Sequence, residues 1–113
     1  LYYQKLAIWQ RSFELSVAMY QYAEQIKDYG FRNQITRSAL SVPSNISEGM
    51  ERQSEQEKHR FLSIAKASLG EFKTQLMIGE RSGLLNREFA KAKIKEAEEI
   101  ARMIAAMMRT LSK

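Results

Sequence analysis

The sequence has no cysteine, one proline, one histidine and one tryptophan among 113 residues. Without cysteine there is no disulfide framework and no thiolate metal site, a usage that suits a reducing compartment. One histidine cannot supply a di-iron carboxylate centre, which needs Glu-x-x-His on each of two helices; the residue three before His59 is Gln56. His59 stands among Glu57, Lys58 and Arg60 in the first turn of a helix and reads as a solvated side chain. No apolar run approaches the ~18 residues of a membrane span, and Leu1-Tyr2-Tyr3-Gln4-Lys5 lacks the apolar stretch of a signal peptide. A cytoplasmic, soluble protein is expected. A glycine-rich phosphate loop is missing, and Ser38, Ser41, Ser44 and Ser47 have no histidine base nearby in sequence. Glu48 and Glu71 are candidates for a carboxylate pair near the core, with a structural ion pair as the simpler reading. Neither an enzyme nor a cofactor is expected.

The length suits one domain over residues 1–113, able to bury roughly two-thirds of its unfolded surface. A hydrophobic content of 44% and a charged content of 27% are globular values. The net charge is +5 and the pI about 9.6. Its excess is greatest over residues 85–113, with seven basic and four acidic groups. Such a balance permits a polyanionic partner without demanding one.

Apolar spacing divides the chain into four helices. Over residues 5–27, Leu6, Trp9, Phe13, Val17 and Tyr20 form one stripe, and Ile8, Leu15, Met19, Tyr22 and Ile26 a second. A helix apolar on two faces is buried among several neighbours, or turns one face to the core and the other to a second chain. Asp28-Tyr29-Gly30 supplies the stop, with glycine placed for a left-handed residue. Residues 31–50 carry Ile35, Ala39, Val42, Ile46 and Met50 on one face, and small or polar groups from Gln34 to Arg52 on another.

Pro43 lies inside this second helix and cannot donate to the Ala39 carbonyl, so a kink near Pro43 is expected. The alternative is a break, with Ser41 capping a short new helix. The surrounding serines have three readings: close packing within the bundle or between subunits, repair of the frustrated backbone, and ligand contact.

Ser54-Glu55-Gln56-Glu57 matches a capping box and opens a third helix to about residue 81. Leu62, Ala65, Leu69, Phe72 and Leu76 form its seam, and Gly83 ends it. Gly70 and Gly79 weaken that helix and offer room for a neighbour. The fourth helix starts after Asn86 and runs to about residue 111, with Ala90, Ile94, Ala97, Ala101, Ile104, Met108 and Leu111 inward. Four such helices on short turns predict an all-α, up-down-up-down antiparallel four-helix bundle.

On the last helix Arg87, Lys91, Lys95, Arg102 and Arg109 share one side, spaced to lay cations along a phosphate backbone. An ordinary solvated face is the competing reading. Glu98 lies in the same row and Glu99 flanks Arg102, answering part of the charge locally.

Arg37, Ser41, Pro43, Ser44, Asn45, Ile46, Glu48 and Gly49, followed by Arg52, Ser54 and Glu57, form a recognisable pattern. It resembles that of the four-helix-bundle proteins encoded by intervening sequences in bacterial large-subunit (23S) ribosomal RNA genes. Phe61-Leu62-Ser63-Ile64-Ala65, the block from Ser68 through Glu71 to Leu76, and Trp9-Gln10 are similar to that family too. The resemblance covers residues 5 to about 85. It implies an antiparallel bundle assembled as a ring-like homopentamer. A related branch, the accessory variability proteins of diversity-generating retroelements, implies nucleic-acid binding through a basic surface. The expected role is therefore that of a non-enzymatic oligomer binding RNA or structured nucleic acid, or else of a protein-interaction scaffold.

Overall fold

In a computed structural model, which describes residues 2–111, a short 3-10 turn (Tyr2–Lys5) precedes four helices: α1 (Ala7–Ala23), α2 (Tyr29–Met50), α3 (Glu55–Arg81) and α4 (Arg87–Thr110). No strand occurs among the described residues. Packing runs α1 on α2, α2 on α3, α3 on α4, with α4 closing back on α1 over a shorter stretch. The diagonal pairs do not meet at backbone distance, and the body measures 43 × 21 × 21 Å. Connections this short leave sequential helices no arrangement but antiparallel, giving the expected four-helix bundle.

Capping sets the helix starts. Ser54 Oγ accepts the Glu57 amide at 3.0 Å, and Asn86 Oδ1 accepts that of Phe89 at 3.0 Å. Gly83, at φ +83°, ends α3 in a left-handed turn whose next amide returns from Leu84 to the Gly79 carbonyl at 2.8 Å. The junction of α1 and α2 differs from expectation. Helix α1 stops at Ala23, where amides 25 and 26 tighten onto the carbonyls three residues back and carry Ile26 into the core. Asp28 is the N-cap of α2, accepting the Phe31 amide at 3.0 Å, and Gly30 lies in its first turn without a positive φ. A capping aspartate here outweighs the stop signal of Tyr29-Gly30.

The seams of α2 and α3 are buried as their spacing requires, with Ile35, Ala39, Val42 and Ile46 facing Leu62, Leu69, Phe72 and Leu76 in one core. On α4, Ala90, Ala97, Ile100 and Ile104 are buried, and Ile94, Ala101, Met108 and Leu111 pack at its edge. The two stripes of α1 separate. Ile8, Leu15 and Met19 enter the core, whereas Phe13 and Tyr20 remain 43% and 46% exposed. Helix α2 is continuous through Pro43, so the alternative of a break with a fresh cap does not occur.

Candidate functional site

The missing amide of Pro43 leaves the Ala39 carbonyl without its helical donor. Its replacement comes from another helix: the buried Ser16 hydroxyl of α1 donates to Ala39 O at 2.7 Å. Sequence reading looked for this repair among the serines of α2 and missed Ser16, because the donor is 23 residues away in sequence. The serines of α2 have other partners. Ser47 Oγ donates to Pro43 O at 2.9 Å and accepts Trp9 Nε1 at 2.9 Å. The Ser38 hydroxyl meets the side-chain amide of Gln75, Ser41 meets Ser68 at 2.8 Å, and Asn45 Nδ2 donates to Ser41 O at 2.8 Å. Ser38, Ser41 and Asn45 therefore lie along the seam between α2 and α3 of one chain.

Glu48, Gly49 and Arg52 act together at the turn into α3. A Cβ at Gly49 would lie 2.6 Å from Phe61 Cβ, so glycine is what lets α3 come this close at Phe61. The Arg52 guanidinium covers that ring at 4.7 Å from its centroid, and Glu48 holds Arg52 at 2.8 Å. Glu71 is exposed with Arg37 at a cleft of about 430 Å³ that Ser38 and Ser41 also line. Ser44 and Glu48 are exposed at another, beside Tyr3 and Arg52. Glu48 and Glu71 thus lie outside the core and in different clefts, a correction to their expected placement. Turn geometry draws Glu48 outward to Arg52.

Helix α4 exposes Arg87, Lys91, Lys95, Arg102 and Arg109. Arg87 reaches Glu80 at 3.8 Å, while the other four make no ion pair among the described residues. Their expected neutralisation by Glu98 and Glu99 is largely redirected. Lys73 of α3 holds Glu98 at 2.7 Å, and Arg11 of α1 holds Glu99 at 2.7 Å. These hydrogen bonds keep both carboxyls below their ordinary range, with lesser help from Lys95 and Arg102 at Glu99 and from Arg102 at Glu98. Glu98 and Glu99 thus tie α4 to α3 and α1, while Glu96 keeps Lys93 of α4 at 3.5 Å and Lys91, Lys95, Arg102 and Arg109 stay exposed.

Between α3 and α4 runs a groove in two adjoining parts of about 630 and 420 Å³, both lined by Lys66 and Gly70. Arg109 and His59 lie at one end and Arg102 in the other part. His59 is half-buried there rather than fully solvated. Lys66 stands one heptad before Lys73 on α3, a spacing that sequence reading left unremarked, and helix packing sets it opposite the α4 row.

Among the described residues no group of three or more His, Asp or Glu side chains is placed to hold a metal ion, and no helix is long and apolar enough to cross a membrane. No curated protein sequence is significantly similar to the chain. A solved structure is similar: a protein of unknown function from the S23 ribosomal protein family of Bacteroides thetaiotaomicron VPI-5482. It is 23% identical, with a TM-score of 0.87, over 90% of this chain and 98% of that one. This likeness establishes the fold. The family model described as 23S rRNA-intervening sequence protein matches residues 4–106, nearly the whole bundle, and the chain belongs to that family.

Proposed function

We propose that this protein is a non-enzymatic, homo-oligomeric RNA-binding bundle. The observation that carries the reading is the row of Lys91, Lys95, Arg102 and Arg109, exposed and without ion pairs among the described residues. The family's rRNA-derived name and the S23 ribosomal title of the structural neighbour lend it support. The exposed Phe13 and Tyr20 of α1 offer the second chain a surface. In a pentamer the net charge of +5 would multiply to about +25, enough for salt-dependent, sequence-independent binding in the cytoplasm.

Filter binding against rRNA fragments at rising salt tests this. Affinity should fall steeply with salt, and should collapse when Lys91, Lys95 and Arg102 are all replaced by glutamate. No affinity at low salt, or affinity indifferent to those reversals, would sink the reading. The same apolar face of α1 favours a second function, docking of a different protein. That alternative requires a partner that co-purifies after nuclease treatment and is lost in Phe13→Glu.

A further inference from the structure

Gly70 has no structural reason to be glycine. It is exposed in the middle of α3, its φ is not positive, and a Cβ built there meets nothing within 4 Å. Gly49 and Gly79 differ, since a Cβ at either would lie 2.6 Å from a neighbouring side-chain atom. Alanine is the better helix former, so the fold alone would favour it at position 70. The absent side chain leaves bare backbone on the floor of the α3–α4 groove, which Ala67 and Ala105 continue.

The rims of this groove are cationic. Lys66 stands on α3, with Arg102 and Arg109 on α4, and none of the three makes an ion pair among the described residues. Among the described residues no carboxylate lines the part that holds His59 and Arg109. In the other part, Lys73 and Glu98 bridge α3 to α4 at 2.7 Å. Arg102 and Arg109 are seven residues apart, or about 10 Å along the helix. A linear polyanion suits a narrow channel with spaced cations and an open floor. Packed helices have axes only about 8–10 Å apart, so a duplex would meet the rims without entering. His59 is the only aromatic ring lining either part, so contact would be through the strand's backbone rather than by stacking its bases.

We infer that the α3–α4 groove takes a single RNA strand, its phosphates against Lys66, Arg102 and Arg109 over the bare backbone at Gly70. This rests on the RNA-binding reading and adds the place of binding and the form of nucleic acid bound.

Fluorescence anisotropy of the full chain with a labelled single-stranded oligouridylate, and with a duplex RNA, tests it. Gly70→Leu occludes the floor without changing charge. It should melt no lower than the wild type, as helix propensity favours leucine over glycine, and keep the oligomeric mass while losing about tenfold in single-strand affinity, and Lys66→Glu should lower the salt slope by about 0.7. Lys95→Glu, on the row but outside the groove, should cost less than Lys66→Glu, and the duplex should bind more weakly than the single strand. Wild-type affinity in both Gly70→Leu and Lys66→Glu would overturn the groove while leaving the RNA reading to the α4 reversals. A changed oligomeric mass in Gly70→Leu would also overturn it, by assigning the groove to a second copy. Should Gly70→Leu fail to fold, Lys66→Glu against Lys95→Glu decides. Absence of any RNA affinity in the wild type would end both readings.

Discussion

Ser16 and Pro43 are coupled through a single carbonyl: Pro43 removes the amide that Ala39 O would accept, and Ser16 Oγ supplies a donor at 2.7 Å. An interior proline costs a helix about 3 kcal/mol, part of which is a buried acceptor left without a partner. The Ser16 bond removes that part and ties α1 to α2.

Ser16→Ala should therefore destabilise the protein by about 1–3 kcal/mol. At roughly 4 °C per kcal/mol, the loss is easily read in a thermal melt. In a Pro43→Ala background the helix regains its own donor, and the cost of Ser16→Ala should shrink by at least about 0.5 kcal/mol. Equal costs in both backgrounds would break the proposed coupling.

Two glycines should respond to alanine with opposite signs. Gly49→Ala drives a Cβ to 2.6 Å from Phe61 Cβ, an atom fixed close to its own backbone, and should cost about 1–3 kcal/mol. Gly70→Ala meets open space and should stabilise α3 by roughly 0.5–1 kcal/mol. Urea midpoints of the two variants make the comparison, and destabilisation by Gly70→Ala would show an unrecognised constraint there.

Acid should loosen the seams of α4. Arg11 holds the Glu99 carboxyl low and Lys73 that of Glu98, each chiefly through a hydrogen bond. A folded-state pKa depressed below 4.5 contributes stability that is present above that value and lost as pH falls through the folded one. The Glu98→Gln, Glu99→Gln double variant should be less stable near neutral pH and converge on the wild type in acid. Parallel urea-midpoint profiles from neutral pH downward would remove these two groups from the acid response.

Phe13→Glu places a charge on the exposed face of α1 and should reduce sedimentation mass to that of one chain without loss of helix content. Unchanged mass would move the subunit contact to another face, for which Met77 and Ile78 of α3, 51% and 55% exposed, are the next apolar surface.

Much of this architecture was legible in the residues. The period of Leu62, Ala65, Leu69, Phe72 and Leu76 is a local property of a helix that must bury one side, and the structure buries all five. Caps such as Ser54 and Asn86 act within three residues, so they too can be read along the chain. The family pattern from Arg37 to Glu57 and the basic row on α4 were equally local.

Tertiary packing decided the rest, because each remaining relationship joins residues far apart in sequence. It turned Ile8, Leu15 and Met19 inward and left Phe13 and Tyr20 outward, a choice that two equally apolar stripes cannot make alone. It drew Glu98 and Glu99 into ion pairs with Lys73 and Arg11 on other helices, so that Lys95 and Arg102 of their own helix act on them only as lesser influences. It also placed Lys66 and Gly70 across from Arg102. Helix formation follows from local periodicity, whereas the donor for Ala39 and the walls of the groove depend on which helices pack side by side.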